Sequence, residues 1–260
     1  MIRPANIDAA IEDLARAGFL APTAEAAELA AAADGDDGRL AEFVDRRVTG
    51  EPLAWITGTT TFCGEIIHVH PGVYVPRPQT EPMAIEAVDL LPEDGIAVDL
   101  CTGSGAIAAV LGRRKPRARI LATDLDPVAV RCAIANGVEA IEADVGDVPS
   151  PEIAGRVDVV TAVVPYVPTD ALHLLPSDVL AYEPRHALDG GDQGTAILIR
   201  TVEAAARILR PGGWLLVELG GHQDRLVMPI LTRLGYTDIR AGHDDDGDLR
   251  SLRARASARP

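Results

Sequence analysis

Paired cysteines, lysine and long apolar runs are what this sequence has least of. Cys63, Cys101 and Cys132 are an odd number without paired spacing. That argues against a disulfide framework or a zinc site, and reduced thiols are expected. No apolar run approaches the length of a membrane span, so no membrane association is expected. The N-terminus lacks a basic region followed by an apolar block, so no signal peptide is expected and the expected location is cytoplasmic. Lysine occurs once, as Lys115, against 23 arginines, which reads as a bias toward GC-rich codons rather than as chemistry. The net charge is −15. That opposes binding to nucleic acid, whose affinity rests largely on phosphate neutralisation, and Arg113-Arg114-Lys115 is too small a cluster to reverse it. His68 and His70 share a strand face without a third ligand, so no metal is expected.

What is present suffices for one domain, or one with a small appendage: 260 residues, 47% hydrophobic. Residues 1–50 read as a helical domain. Ile7, Ile11 and Leu14 repeat at helical spacing behind an Asn6 cap, and Gly18 ends that helix. Thr23 would cap a second helix over 24–33, and a third runs over 39–48 after a loop. Residues 51–80 read as a β-hairpin, strands 59–62 and 66–69 around Cys63-Gly64, with a proline-stiffened linker. Over 81–260 strand and helix alternate. A helix is expected at 81–90, and strands at 96–100, 119–123, 138–142, 157–163, 213–219, 236–240 and 249–254. The other helices fall at 105–113, 127–135, 194–209 and 223–234. This is α/β patterning, a doubly wound and mostly parallel Rossmann-like sheet with an antiparallel strand near the C-terminus. Ligands bind such sheets beyond the carboxyl ends of the strands.

The chain is organised around residues 97–108. A short buried strand runs into Gly103 and Gly105, which permit a tight turn and close backbone approach to a ligand. The next helix presents its free N–H groups at the same place. Gly103-x-Gly105-x-x-Ala108 is a loose match to the dinucleotide fingerprint. Asp99, four residues before Gly103, would repel a pyrophosphate. It suits a cationic or zwitterionic ligand such as the amino acid end of S-adenosylmethionine. The bland alternative is a generic turn with Asp99 as a local cap. Cys101 lines the ligand site or is a small buried filler.

Asp124 closes the next strand and is placed to accept both hydroxyls of a ribose. Asp126 is better placed to cap the helix opening at Pro127. Asp144 follows the third strand, where a carboxylate can accept the adenine exocyclic amine. Each alone could serve a turn or a cap; at successive strand ends they describe an adenosine pocket. The ligand-binding candidates are therefore Asp99, Cys101, Thr102, Gly103, Gly105, Asp124, Leu125, Asp144, Val145 and Val163.

The fourth strand ends in Val163-Val164-Pro165-Tyr166, the candidate catalytic segment. With the glycine turn, Asp124 and Asp144, this strand-end Pro-Tyr resembles the amino-methyltransferases that carry an Asn-Pro-Pro-Tyr motif and use S-adenosylmethionine. Glu51-Pro52-Leu53-Ala54-Trp55-Ile56-Thr57-Gly58 and Val75-Pro76-Arg77-Pro78-Gln79-Thr80-Glu81 narrow the resemblance. So do Tyr182-Glu183-Pro184-Arg185-His186-Ala187-Leu188 and Gly190-Gly191-Asp192-Gln193-Gly194. All are similar to the protein glutamine N5-methyltransferases that modify peptide chain release factors. The resemblance covers about residues 51 to 255, in order. It implies the class I S-adenosylmethionine-dependent methyltransferase fold over 81–260, that cofactor, and a protein substrate such as a release factor.

In that family the Asn side-chain oxygen and the first Pro carbonyl accept the two N–H bonds of the substrate amide, and the Tyr packs on the substrate. This chain places Val163 at the Asn and Val164 at the first Pro. An amide nitrogen is a poor nucleophile because its lone pair is delocalised. Two acceptors orient it and stabilise the charge developing on it. Val163 offers no side-chain acceptor, and an unpaired buried N–H costs roughly 1–3 kcal/mol. Glutamine transfer is handicapped, and a different acceptor, a small metabolite or another protein side chain, is equally compatible. A non-catalytic S-adenosylmethionine-binding protein is the third reading. The substrate-contact candidates are Phe62, which matches a family aromatic, Arg77, Pro165 and Tyr166. Arg77 meets a substrate carboxylate or forms a structural salt bridge. His173, Asp170, Glu183 and His186 follow the motif, His173 reading as a base or as a solvent-facing loop residue.

Overall fold

The computed structural model describes residues 7–147 and 151–257. Helices α1 (Ile7–Arg16), α2 (Pro22–Ala33) and α3 (Asp37–Val48) open the chain. Their apolar stripes close on one another through Leu14, Leu29, Leu40 and Val44. The expected Asn6 cap lies outside the described residues. Thr23 does not cap α2. Pro22 takes the first helical position, where its missing N–H is no loss, and Ala21 precedes it without a side-chain cap. Asp36 caps α3 by accepting from the Arg39 N–H at 3.0 Å, which starts that helix two residues earlier than expected.

A short helix, α4 (Leu53–Thr57), leads into the hairpin β1 (Thr59–Phe62) and β2 (Glu65–His68). Then follow α5 (Glu81–Leu90), β3 (Ile96–Leu100), α6 (Ala106–Arg114), β4 (Arg119–Asp124), α7 (Pro127–Ala135), β5 (Glu139–Glu142) and β6 (Val157–Val163). The chain continues as α8 (Ser177–Tyr182), α9 (Ala196–Ile208), β7 (Leu209–Glu218), α10 (Gln223–Arg233), β8 (Tyr236–His243) and β9 (Leu249–Ala256). Neither α4 nor α8 was expected, because each is too short for a helical period to register. Strand β7 starts four residues earlier than expected, across an irregularity in its pairing with β6.

Strands β3 to β7 are parallel, in the order β5-β4-β3-β6-β7, and β9 runs antiparallel between β7 and β8. The order reverses between β3 and β6, which are neighbours in register from Ala97↔Val159 to Leu100↔Ala162. The carboxyl ends of these two strands are the topological switch point, where a doubly wound sheet binds its ligand. Adjacent residues of β3 face opposite layers. Ala97 packs with α5, α6 and α7, and Val98 packs on the side of α9 and α10. Buried on both faces, β6 reads as an apolar run interrupted by Asp158 and Thr161. Asp158 anchors the opposite end of the sheet, accepting from the Ile96 N–H at 2.8 Å and from Arg210 Nε at 2.6 Å.

Candidate active site

A cavity of about 960 Å³ opens at the switch point. This volume is in the upper range for small-molecule sites. Asp99, Cys101, Thr102 and Gly103 line it from the β3–α6 turn, Asp124 and Leu125 from the end of β4, Asp144 and Val145 from beyond β5, and Val163 to Tyr166 from the end of β6. The fold therefore brings the ligand-binding candidates together, with one exception. Gly105 is not in the lining. Its φ of +78° starts α6, and a Cβ there would stand 2.8 Å from the Ala133 Cβ. Its role is to let α6 approach α7. Gly103 is the reverse case: at φ +56° nothing lies within 4 Å of where a Cβ would stand.

The turn is held by side chains that sequence spacing does not connect. Asp124 accepts from the Gly103 N–H at 2.8 Å and from the Asp126 N–H at 2.9 Å. Asp126 caps α7 through the Val128 N–H at 2.7 Å, as expected, and pairs with His186 at 3.3 Å. Asn136 is buried and ties the turn to the hairpin. Its amide donates to the Ser104 and His68 carbonyls, both at 2.8 Å, and accepts from the His68 N–H. Asp144 is half exposed and pairs with Arg200 at 2.5 Å through Oδ1, which holds its carboxyl below the ordinary range.

Asp99 is 2% exposed, and its two oxygens accept from the Thr102 and Thr161 hydroxyls at 2.5 and 2.6 Å. Burial lifts its carboxyl to about 6. The folded chain thus holds this proton more tightly than the unfolded chain, where an aspartate titrates near 3.9. Its contribution to stability is fully present below about pH 4 and is lost as pH rises through about 6. Asp99→Asn removes that loss. Urea melts of the ligand-free protein should find the variant more stable than the parent by about 3 kcal/mol at pH 8, and similar to it at pH 4. Parallel pH dependences would show that Asp99 does not titrate in this window.

The strand-end segment sits in a backbone cradle. Val167 pairs with the loop after α8, accepting from the Gly190 N–H at 2.8 Å and donating to the Leu188 carbonyl at 3.0 Å. A Cβ on Gly190 would stand 2.6 Å from the Pro165 oxygen, and one on Gly194 would stand 2.0 Å from the Tyr166 oxygen. Gln223, buried at the start of α10, locks the cradle. Its Nε2 donates to the carbonyls of Tyr166 at 2.7 Å, Gln193 at 3.1 Å and Gly194 at 3.2 Å, while Oε1 accepts from the Gly220 N–H. Sequence reasoning missed Gln223. Its only signal was a polar residue opening a helix beside a glycine pair.

Phe62 is buried against the hairpin and also lines the cavity. Arg77 lines it too, but its guanidinium is held by the Glu183 carboxylate and lies 4.8 Å from the Tyr74 ring centre. The expected salt bridge is formed. Trp55 supports this linker by donating to the Val73 carbonyl at 2.9 Å and meets Tyr182 of α8 edge-on. His186 lines the cavity, whereas His173 and Asp170 do not.

A glycine turn on β3, carboxylates ending β4 and following β5, and a Pro-Tyr turn ending β6 around one cavity define an S-adenosylmethionine-dependent methyltransferase of class I. Solved structures agree on the fold: a ribosomal protein L11 methylase from Lactobacillus delbrueckii subsp. bulgaricus matches with a TM-score of 0.53 at 16% identity, over 75% of this chain and 87% of that one. No family model matches the chain. A release factor glutamine methyltransferase of Mycolicibacterium smegmatis is 39% identical, over 97% of each chain. A 4-amino-L-phenylalanine/4-methylamino-L-phenylalanine methyltransferase of Streptomyces pristinaespiralis is 34% identical, over 85% of this chain and 80% of its own. The chain belongs to the release factor glutamine methyltransferase family. Among the described residues no helix is long and apolar enough to cross a membrane.

Proposed function

We propose that this protein methylates the side-chain amide nitrogen of a glutamine in a peptide chain release factor. The observation that carries the reading is the placement of the Val163–Tyr166 turn in one cavity with the glycine turn and Asp124. S-adenosylmethionine, when bound, supplies an electrophilic methyl group. The residues fit it: Gly103 leaves room for a close ligand, and Asp124 and Asp144 present carboxylates to the cavity. Asp124 would accept from the ribose, Asp144 through Oδ2 from the adenine amine, and Asp99 and Thr102 would face the amino acid end. Cys101, Leu125, Val145 and Val163 would pack on it.

The chain's own groups then have to orient the acceptor. Among the described residues no donor engages the Val164 or Pro165 carbonyls. The Val164 carbonyl takes one amide N–H, Tyr166 and Phe62 pack on the acceptor side chain, and the apolar walls exclude water. The division into a helical domain (1–50), a hairpin and linker (51–80) and a methyl-transfer domain (81–260) belongs to the same reading. It is supported by the separate apolar cluster of α1–α3 with Leu53 and Ile56. A release factor substrate places the reaction in the cytoplasm.

A second reading has its own support. Val163 removes the side-chain acceptor that a primary amide needs, and the 34% identical relative is named for an aromatic amine. Incubation with labelled S-adenosylmethionine and full-length release factor, followed by peptide mapping, tests the first reading. One methylated glutamine is expected. An unlabelled release factor beside methylated small aromatic amines would replace the first reading with the second.

A further inference from the structure

A buried carboxyl beside the motif, Glu218, stands apart from the adenosine pocket. Glu218 is the last residue of β7 and pairs in register with Val163, the last residue of β6. Side chains of such partners lie on the same face of the sheet, so Glu218 stands beside Val163, behind the Thr80 and Tyr166 that line the cavity. It is 2% exposed. Its Oε2 accepts from the Thr80 hydroxyl, while Oε1 is buried without a hydrogen-bond partner. The Tyr166 ring lies against the end of β7, 3.6 Å from where a Cβ on Gly220 would stand, so its phenol acts on the same carboxyl without a formed hydrogen bond to it, and both Thr80 and Tyr166 line the cavity.

The other carboxyls around the cavity are committed. Asp99 is held by two hydroxyls, Asp124 by two backbone N–H groups and Asp144 by Arg200; Glu183 also has an unpartnered Oε2, but Arg77 holds it through Oε1 in a salt bridge. Among the described residues Glu218 makes no salt bridge, although Arg77 and Arg250 act on it from a distance. We infer that Glu218, acting through the Tyr166 hydroxyl, takes up the proton that the acceptor nitrogen loses when it is methylated.

The proton balance is simple. The nitrogen is cationic once its lone pair has bonded the methyl carbon, whose bond to the donor's sulfonium sulfur breaks with the electron pair going to that sulfur. Its N–H proton passes to the Tyr166 oxygen as the phenolic proton passes to Glu218 Oε1. The nitrogen ends neutral, the tyrosine unchanged and the carboxyl protonated. Burial pushes the Tyr166 phenol up, so a free phenolate is avoided and the two transfers are coupled. Burial also raises the Glu218 carboxyl, against the lowering by Thr80, Tyr166, Arg250 and Arg77. A carboxyl held above the usual glutamate value near 4.3 is a better proton acceptor. Tyr74 is the remaining titratable group beside the pair. Pushed up to about 12 by burial, it stays neutral throughout.

The inference rests on the nitrogen-methylation reading, and its test separates the two. Glu218→Gln should bind S-adenosylmethionine as the parent does. Its single-turnover transfer should fall about tenfold, below the usual range for a direct general base because the relay is indirect. The parent's rate should rise with pH above the ordinary carboxylate range, and the variant's should not. Tyr166→Phe should show the same flat profile, and adding Glu218→Gln to it should cost nothing further. An unchanged rate and profile in Glu218→Gln would overturn the relay. The second readout needs no methyl acceptor: infrared titration of the ligand-free protein should reveal a buried carboxylic acid band that Glu218→Gln abolishes. Tyr166→Phe should move that band's midpoint to higher pH, because the phenol lowers the carboxyl's pKa. An unmoved midpoint would overturn the relay whatever the substrate. A shifted midpoint with an unlabelled release factor would uphold the pair and reject the glutamine reading.

Discussion

Asp124→Ala weakens S-adenosylmethionine binding by about 3 kcal/mol, roughly a hundredfold in Kd, in a calorimetric titration. Two losses add. The carboxylate no longer accepts from the ribose, and charge-assisted hydrogen bonds of this kind are the strong ones. The Gly103 and Asp126 N–H groups also lose their acceptor. Those bonds fix the glycine turn and the entry to α7, so the variant loses pocket geometry as well as a contact. Asp124→Asn keeps one acceptor oxygen and should fall between the variant and the parent. Burial raises the Asp124 carboxyl while its two backbone donors lower it, so binding should also weaken on acidification as the carboxylate is protonated. Parent-like affinity in a folded Asp124→Ala would mean that the adenosine pocket lies elsewhere.

The elements legible in the sequence were those with a strong local pattern. Strands β3 and β4 and helix α7 lie where apolar runs, turn glycines and the Asp126-Pro127 start put them. The carboxylates at the ends of β4 and β5 were legible because a doubly wound sheet brings successive strand ends to one edge. What could not be read was the partner of each polar group. Gly105 matched a ligand-binding fingerprint, yet the contact that requires glycine is with Ala133, 28 positions on in the chain. Gln223 and Glu218 join segments more than 50 residues apart, Gln223 to Tyr166 and Glu218 to Thr80. No periodicity encodes such pairs. Arg77 carried two readings at the sequence level; the fold forms the salt bridge by burying Glu183 beside it and leaves Arg77 in the cavity wall.

Val163→Asn should raise methyl transfer to a release-factor glutamine peptide by about tenfold to a hundredfold, the worth of pairing one buried amide N–H. The fold is ready for the substitution. Val163 ends β6, lines the cavity and is only partly buried, so an amide of similar size needs no repacking of the sheet. Its register partner Glu218 offers an oxygen without a donor. The new Nδ2 can donate to that oxygen, which turns the asparagine oxygen toward the acceptor. A carboxylate oxygen has two lone-pair sites, so the Tyr166 phenol keeps its own access to Glu218. Single-turnover transfer to the peptide, with thermal melts as the fold control, reads the gain. Transfer to small aromatic amines should not rise with it, because an aromatic amine does not need both acceptors to hold its nitrogen lone pair toward the methyl group. A folded variant with no gain on glutamine would assign the Val163-Val164 pair to a different acceptor. The apolar wall would then be the feature that selects it.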